Sequence, residues 1–550
     1  MYRIRKLESD PNTTLHAILA LNPMVIEQAK AKDRQKNTQH HPIFGMPILL
    51  KDNINTQDMP TTAGAAFLQS HLPDNDAYIV SQLQSKGALI LGKVNLSEWA
   101  YYFCDGCPLG YSAVGGQTLN PYGRKVFESG GSSSGSGVAV AANYAVAAVG
   151  SETSGSILSP SGHNAVVGCK PTIGLVSRTG IVPISSTLDT AGPMTKNVID
   201  NAILLDAMQG KDTSDPSTTK APDQIGDYIV ASQNRSISAY RLGAIKSLVK
   251  TDSLYRKAIN TLRSNGAIVV EFDPPNIEFK GFLSLLNKEM KNDLPNYFST
   301  QSNQNFADDN VQSVVAFNQQ DSLLRMPYGQ GRLMGVIKED ITDDELQTVI
   351  DKLHKSGVSY FRDPMMTYNL DAVLTINNYH AAYAAVAFYP CLTVPMGYNG
   401  QGEPKNLTFV AESFSEPKPV DTYQNVLKCS TGGRIRASPK RTKTETPLLS
   451  LLDKEAFSLD SISELDLKGD FMLDMTRGGG PPPMKKRKFS PTPKRFKSEP
   501  IPPLSLEHTV MLVSAVLDDE RNIPPSSKTV SDSKPHFLTD ETIENLLRCV

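Results

Sequence analysis

The sequence has no apolar run long enough to cross a membrane, since such a helix needs about 18 consecutive apolar side chains. Its amino end, MYRIRK, is followed by SDPNTT and not by an apolar stretch, so we expect no secretion signal. Cysteine is scarce, with six in 550 residues, which argues against a disulfide scaffold and suits a reducing compartment. These absences predict a cytoplasmic protein with no membrane partner.

The chain also lacks an excess of charge of either sign. Lys and Arg together number 55 against 57 for Asp and Glu, a formal net charge of −2. Such a balance does not favour nucleic acid or an acidic membrane surface as a partner of the whole chain. With 39% apolar residues over 550 positions, the chain can bury a large core, as an enzyme-sized globular protein does.

Metal-ligand patterns are equally sparse. Cys104 and Cys107 form one C-x-x-C pair, with no second pair and no nearby histidine. Structural zinc sites use four ligands at set spacings, so zinc or redox use is the less favoured interpretation of this pair. We therefore expect no metal and no cofactor.

What the sequence does contain is a stretch of small residues between positions 128 and 161. Two clusters of glycine and serine, residues 130–137 and 151–156, flank the run VAVAANYAVAAV, which predicts a buried helix followed by a strand. Glycine permits positive φ and close approach, and successive N–H groups in such turns can bind an anion. The serines are then either helix caps or reactive groups.

Two familiar glycine-rich sites do not fit these clusters. The segment GSSSG places Ser133 at the centre of a possible nucleophile elbow, but the strand required before it is replaced by the short, polar GRKVFES. The downstream histidines His163, His354 and His380 lie in no recognisable catalytic setting. A P-loop is excluded because neither cluster ends in Gly-Lys-Ser/Thr.

A serine can also be activated by a lysine. Lys51 ends the apolar run HPIFGMPILL, which places it at the rim of a predicted sheet, where the ligands of α/β folds collect. Lysines at strand ends more often extend into water. In a dry pocket, however, desolvation lowers the pKa of a lysine towards neutrality, as a base for serine requires. Lys51 is therefore the candidate base.

Four segments of the chain occur in the order of one known family. They are GMPILLKDN, GGSSSGSG, GSETSGSI and LVSRTGIVPISSTLDTAGPM. Ser156, in the third, lies 24 positions after Ser132, in the second. Over residues 14 to about 415 the chain resembles the amidase signature family, serine hydrolases with a Ser-Ser-Lys triad. The first three segments are similar to the family's lysine, glycine-serine and nucleophile motifs, and the fourth to the segment that follows them.

The resemblance implies a role for each matching residue. Ser156 would be the nucleophile, Lys51 the base, and Ser132, held by a cis peptide in the family, the serine that passes a proton between them. It also implies hydrolysis of a carboxamide to a carboxylate and ammonia or an amine through an acyl-enzyme, without metal or cofactor. Backbone N–H groups of four residues would form the oxyanion hole: Thr153, Ser154, Gly155 and Ser156.

The same resemblance implies an α/β domain over residues 1–420, the amidase-signature fold, with a mixed β-sheet core between layers of helices. From the residues themselves, positions 12–32 predict one or two amphipathic helices. Positions 76–96 predict a helix, a stop at Gly87 and a strand ALILG.

Residues 421–550 predict a low-complexity, disordered tail, because serine, threonine, proline and charge dominate and apolar clusters are short. Within it, positions 485–497 contain KKRK and three further basic residues, a pattern typical of nuclear import signals. The tail is therefore a candidate ligand of a nuclear import receptor, which would add a nuclear location. Solvated charge is the alternative.

Two departures from the family pattern indicate a branch. The chain has Glu152-Thr153-Ser154-Gly155 where members usually have aspartate-x-glycine-glycine, and Leu158 where they have arginine. These features favour peptide-amidase-like members, acting on a small-molecule or peptidyl amide. Two alternatives stay open: an amidotransferase-type subunit that acts in a complex, and a catalytically inactive, amidase-like nuclear interaction protein.

Overall fold

The computed structural model describes residues 1–35, 40–222, 228–231, 237–238 and 240–416. The predicted tail at 421–550, including the basic run at 485–497, lies outside the described residues. Among the described helices, none is both long and apolar enough to span a bilayer.

Eleven strands form one mixed sheet, and β4 and β5 form a separate two-stranded hairpin. The order across the large sheet is β1-β3-β2-β6-β8-β7-β12-β13-β11-β9-β10. The strands are β1 (Ile18–Leu21), β2 (Pro47–Lys51), β3 (Leu89–Val94), β4 (Tyr111–Ser112), β5 (Gly116–Gln117), β6 (Ala147–Glu152), β7 (Val167–Lys170), β8 (Thr190–Thr195), β9 (Arg241–Ile245), β10 (Ile268–Phe272), β11 (Ala372–Ile376), β12 (Cys391–Tyr398) and β13 (Pro404–Val410).

Helices accompany this sheet along the described part of the chain. Four short 3-10 helices occur at Ala66–Leu68, Glu98–Tyr101, Pro216–Lys220 and Gln304–Phe306. The α-helices are α1 (Tyr2–Glu8), α2 (Val25–Asp33), α3 (Tyr78–Ser85), α4 (Ser134–Ala141), α5 (Leu158–His163), α6 (Val198–Met208), α7 (Tyr228–Ala231), α8 (Lys246–Thr251), α9 (Ser253–Ser264), α10 (Phe282–Gln301), α11 (Val311–Gln319), α12 (Ser322–Arg325), α13 (Gly331–Lys338), α14 (Asp343–Tyr368) and α15 (Ala381–Val386).

Both faces of the sheet are buried, as the residues of β2 show. Its side chains alternate, so Ile48 and Leu50 join one apolar cluster while Leu49 joins the other. The helices α3 and α6 contribute to the first cluster, and α1, α2 and α4 to the second. The expected α/β fold, with a mixed sheet between layers of helices, is confirmed.

The predicted buried helix and strand are present as α4 and β6. Every residue of α4, which reads SGSGVAVA, is buried, because its small side chains let the helix lie directly against the sheet. Gly135 shows how close this contact is: its N–H donates to Asn95 O at 2.9 Å. The start of α4 is thereby fixed against the end of β3.

The sheet brings three strand ends to one edge. Strands β3, β2 and β6 are adjacent and parallel, with Lys51 opposite Val94 and Leu50 opposite Val149. Their carboxyl ends therefore lie together, at the edge where α/β proteins bind their ligands. The site described below is at this edge.

The prediction of helices over residues 12–32 is wrong in its centre. Ile18–Leu21 is a strand that pairs antiparallel with β3, with Ile18 opposite Val94 and Leu21 opposite Gly92. The ladder to β3 supplies backbone hydrogen bonds that a helix here would have to make internally. Only the end of the segment, Val25–Asp33, is helical as expected. The predicted helix and strand of residues 76–96 are confirmed as α3 and β3.

Candidate active site

Lys51 is the last residue of β2 and its side chain is 0% exposed. Its Nζ lies 2.7 Å from Ser132 Oγ, 2.9 Å from Ser151 Oγ and 3.1 Å from Ser151 O. Burial lowers the pKa of Lys51 to about 7, against the opposing effect of the Asp189 and Glu152 carboxylates. A substantial fraction of this amine is therefore neutral near neutral pH.

Ser151 and Asn53 complete the surroundings of the amine. Asn53 Nδ2 donates to Ser151 Oγ at 2.9 Å, so this hydroxyl joins the lysine to a buried amide. Ser151 belongs to β6, next to β2 in the sheet, which is why its main chain and side chain both reach Nζ. The three oxygens around Nζ match the three donors of an ammonium group.

Ser132 is held between two glycines and the start of α4. The Gly131–Ser132 peptide bond is cis, and Ser132 is 1% exposed. Its carbonyl accepts from the N–H of Ser97, just after β3, at 3.0 Å. Gly130 has φ +65, and a Cβ there would lie 2.7 Å from the Cα of Pro160 in α5. Only glycine allows the two segments to approach so closely.

Ser156 lies in the turn between β6 and α5. Its carbonyl accepts from the N–H of Ser133 at 3.1 Å, which ties this turn to the residue after Ser132. The preceding Gly155 has φ +87, a conformation that side chains disfavour. Ser156 is half-buried, and its Oγ forms no hydrogen bond with any described residue. The structure thus joins Lys51 to Ser132 directly and Ser156 to this pair through the main chain.

The turn of residues 152–158 presents free main-chain donors. Within the described chain, the N–H groups of Thr153, Ser154 and Ser156 make no hydrogen bond. The N–H of Gly155 instead lies against the carboxylate of Glu152. These N–H groups belong to the four residues for which the family resemblance implies an oxyanion hole.

Glu152 and Asp189 hold this turn from its two sides. Glu152 Oε2 accepts from the N–H groups of Ile157 and Leu158 at 2.7 and 3.0 Å. Asp189 Oδ1 accepts from the hydroxyl of Thr153. Burial raises the pKa of both carboxyls, while these hydrogen bonds favour their charged forms. The turn therefore has a fixed shape before any ligand arrives.

Three residues of this site were not predicted from the sequence: Asn53, Ser151 and Asp189. Each lies in a matched segment. Only the pairing of β2 with β6 shows that Ser151 and Asn53 lie beside Lys51, and only the pairing of β6 with β8 shows that Asp189 lies beside Thr153. Their positions in GMPILLKDN, GSETSGSI and LVSRTGIVPISSTLDTAGPM are the signal that could have drawn attention to them.

The C-x-x-C pair is used differently from a metal site. Cys104 and Cys107 are joined by a disulfide, although the scarcity of cysteine argues against a disulfide scaffold. Cys169 and Cys391 are buried free thiols. No group of three or more His, Cys, Asp or Glu side chains in the described ranges could hold a metal ion.

Known proteins that are similar to this chain include amidases and an amidotransferase subunit. Residues 3–334 match the model of the family described as Amidase. A protein of Arabidopsis thaliana named Probable amidase is 36% identical over 426 residues, which are 74% of this chain and 82% of that protein. A glutamyl-tRNA(Gln) amidotransferase subunit of Desulfosudis oleivorans is 33% identical over 472 residues, covering 77% and 91%. The X-ray structure of native peptide amidase from Stenotrophomonas maltophilia matches with a TM-score of 0.73 at 36% identity, covering 78% of this chain and 92% of that one.

Proposed function

Since the chain belongs to the amidase signature family and is an amidase, we propose that it cleaves a carboxamide with a triad of Lys51, Ser132 and Ser156. The observation that carries this proposal is the fully buried amine of Lys51, 2.7 Å from Ser132 Oγ. Its pKa of about 7 suits a general base that works near neutral pH.

In the first step, neutral Lys51 accepts the proton of Ser132 Oγ while Ser132 accepts the proton of Ser156 Oγ. The Ser156 oxygen forms a bond to the substrate carbonyl carbon, and the π electron pair moves onto the carbonyl oxygen. The free N–H groups of Thr153, Ser154 and Ser156 stabilise this oxyanion. Removing one such donor typically costs about 3 kcal/mol of transition-state stabilisation.

In the second step, the oxyanion re-forms the carbonyl and the C–N bond breaks, leaving its electron pair on nitrogen. The nitrogen takes a proton from Ser132, which recovers it from the ammonium of Lys51. A water molecule then forms a bond to the acyl carbon, and its proton passes through Ser132 to Lys51. The bond from this carbon to Ser156 Oγ breaks, its electron pair stays on Oγ, and Oγ recovers a proton through Ser132 from Lys51. The products are a carboxylate and ammonia or an amine, and covalent catalysis has replaced one difficult step by two easier ones.

A serine-directed fluorophosphonate probe tests the assignment of the nucleophile. We expect it to label the wild-type chain and not Ser156→Ala, and we expect Ser156→Ala to abolish turnover of every amide cleaved by the wild type. The exposed Ser264 of α9 provides the matched control, since Ser264→Ala should leave labelling and turnover intact. Labelling that persists in Ser156→Ala would refute the triad.

The solved peptide amidase supports a substrate class for this chain. The 36% identity to that structure, over 92% of its length, favours amides of peptides or of similar size. A panel of simple, aromatic and peptidyl amides, each measured against Ser156→Ala, ranks the acyl groups. We expect the highest kcat/KM among the peptidyl amides.

A second candidate function is that of an amidotransferase subunit, favoured by the 33% identity to the Desulfosudis oleivorans subunit over 91% of its length. In that role the amide nitrogen would pass to an acyl acceptor held by another protein. Turnover of simple amides by the purified chain alone argues for the hydrolase. Activity that appears only with added partner proteins would favour the amidotransferase.

For the segment beyond the domain, we propose that the basic residues at 485–497 bind a nuclear import receptor. A fluorescent fusion of the whole chain should enter the nucleus, and replacing KKRK by four alanines should keep it in the cytoplasm. An intact fusion that stays cytoplasmic would contradict this assignment.

A further inference from the structure

A cavity of about 220 Å³ lies beside the turn of the candidate active site. Ser151 and Thr153 both line it, so it borders the hydroxyl that Lys51 contacts and one of the proposed oxyanion donors. Its other walls come from the chain between β7 and β8, from the segment after α6 and from α10. The cavity thus lies between the turn of the candidate active site and these three segments.

The walls of this cavity carry an excess of negative charge. Asp189, Asp215 and Asp293 line it, and among its lining residues, all of them described, Arg178 is the only cation. Arg178 is already paired with Asp215, through Nε at 2.9 Å and Nη2 at 2.6 Å. Asp189 and Asp293 also interact electrostatically with Arg178, but within the described chain neither forms an ion pair with it. Asp189 Oδ2 already accepts from the N–H groups of Ile184 and Ser185.

The charge of Asp293 is poorly compensated by its neighbours. Its Oδ2 accepts from the N–H of Ser186 at 2.7 Å, but the carboxylates of Glu289 and Asp189 lie close by. Burial and these two carboxylates raise the pKa of Asp293 to about 7. A cation placed in the cavity would favour the ionised form of this group.

An independent feature of the cavity is the orphaned oxygen of Asn53. This residue lines the cavity with a side chain that is 2% exposed, and its Nδ2 is engaged by Ser151 Oγ. Its Oδ1 accepts no hydrogen bond from the described part of the molecule. A buried carbonyl oxygen without a donor is costly, about 1–3 kcal/mol, so it points to a ligand that carries N–H groups.

We propose that this cavity receives a positively charged nitrogen group of the substrate, an ammonium or guanidinium, next to the amide that is cleaved. Asp189, Asp293 and Asn53 Oδ1 are its acceptors. This proposal rests on the proposed amidase function and names its substrate class as cationic amides. An anion is disfavoured by the carboxylates, and a metal ion lacks a cluster of ligands in the described residues.

Matched pairs of substrates test this proposal without any mutation. Nα-acetyl-lysinamide and Nα-acetyl-norleucinamide share the amide and the chain length, but only the first carries an ammonium group. We expect kcat/KM to be about tenfold or more higher for the lysine compound, as a charge-assisted hydrogen bond would give. The arginine and 2,4-diaminobutyric acid analogues place the cation at other distances from the amide, so their kcat/KM values show which distance fits the cavity.

Simple amines separate this proposal from the proposed function, because they bind without being cleaved. Pentylammonium should shift the thermal transition of the chain upwards and inhibit amide turnover competitively, whereas 1-pentanol should do neither at the same concentration. Equal behaviour of the two compounds, with Ser156-dependent turnover of neutral amides, would overturn the cation site and leave the amidase intact. Binding of pentylammonium with no turnover of any amide would support the site and refute the proposed function.

The variant Asp293→Asn removes the charge but keeps the shape. We expect the ratio of kcat/KM for the lysine compound over the norleucine compound to fall about tenfold, a ratio that general damage to the enzyme would not change. Asp273→Asn is the matched control, since Asp273 follows β10 at the far edge of the sheet and is 71% exposed. An unchanged ratio in Asp293→Asn would contradict the proposal.

Discussion

Lys51 has as many acceptors around it as it has protons to donate. As an ammonium it can donate to Ser132 Oγ, Ser151 Oγ and Ser151 O, and all three distances are between 2.7 and 3.1 Å. As a neutral amine it keeps two donors for Ser151 and offers its lone pair to the hydroxyl of Ser132. The same contacts therefore serve both protonation states, so a proton can move without a change of geometry.

The pH dependence of turnover should report the protonation of Lys51. In the proposed mechanism the neutral form is the base, and its fraction grows as pH rises through the pKa of about 7. We therefore expect kcat/KM for a neutral amide to rise about tenfold per pH unit below this value and to be level above it. Measurement from about pH 5 to about pH 10 checks this. A flat profile over that range would exclude Lys51 as the base.

Ser151→Ala should move this profile to lower pH. The hydroxyl accepts from the ammonium of Lys51, and a hydrogen bond to the charged form favours that form. Without it the pKa of Lys51 falls further, so the rising limb shifts to the acid side. A loss of kcat of about tenfold should accompany the shift because Asn53 loses its partner as well. A limb that moves to higher pH would contradict this account.

At the scale of elements, the approach of α4 to β3 fixes Ser132. A Cβ at Gly135 would lie 2.4 Å from Asn95 O and 2.8 Å from Ala17 O, both backbone atoms that cannot turn aside. Helix propensity alone favours alanine over glycine by about 1 kcal/mol. The close contact works against this gain, since overpacking typically costs about 1–3 kcal/mol.

Gly135→Ala should therefore destabilise the protein, although it introduces a better helix former. We expect the free energy of unfolding in urea to fall by about 1–3 kcal/mol, with a loss of turnover because Ser132 moves with α4. Gly400→Ala is the matched control, since a Cβ there meets nothing within 4 Å. A variant Gly135→Ala as stable as the wild type would show that α4 can move away from β3.

The turns beside Ser132 and Ser156 could be predicted because their backbone conformation requires glycine. The turns at Gly130 and Gly155 need positive φ, so they leave a pattern of glycine beside Ser132 and Ser156. The strand Ile18–Leu21 leaves no such pattern, because four apolar residues fit a helix or a strand and only pairing with β3 decides. The spacing of residues along the sequence does not show which distant strands pair.

The cavity could not be predicted for the same reason. Asp293 lies in α10, 142 positions after Ser151, and no periodicity connects the two. Asn53 is the last residue of the lysine motif, but only the structure shows that its Nδ2 donates to Ser151 Oγ while its Oδ1 has no donor among the described residues. Motifs thus indicate the proposed reactive groups, whereas the groups proposed to select a substrate come from distant segments that meet only in the folded chain.

At the scale of the whole molecule, the described chain ends in a buried contact. Glu416 is 1% exposed and its Oε1 accepts from the N–H of Thr172 at 2.8 Å. Phe414 N donates to Thr172 Oγ1, also at 2.8 Å. The residues up to Glu416 therefore pack against the folded part of the chain, while the predicted boundary at 420 lies outside the described residues.

Two shortened chains should behave differently. We expect residues 1–420 to keep kcat/KM within about twofold of the full chain and to unfold at the same urea concentration. Residues 1–410 lose both contacts with Thr172 and should be less stable by about 2–6 kcal/mol, since a buried group left without its partner costs about 1–3 kcal/mol. Loss of activity on shortening to 1–420 would place the boundary further along the chain.

The strand order has a consequence for synthesis on the ribosome. Strand β7 at Val167–Lys170 pairs on one side with β12 at Cys391–Tyr398, so its partner is made more than 200 residues later. Until β12 is made, the nascent chain already contains Lys51, Ser132 and Ser156, but one edge of β7 has no partner strand. Other chains can pair with this open edge, which is buried in the folded protein. Emerging polypeptides of this protein should therefore depend on chaperones, and truncated translation products should aggregate before they could ever catalyse.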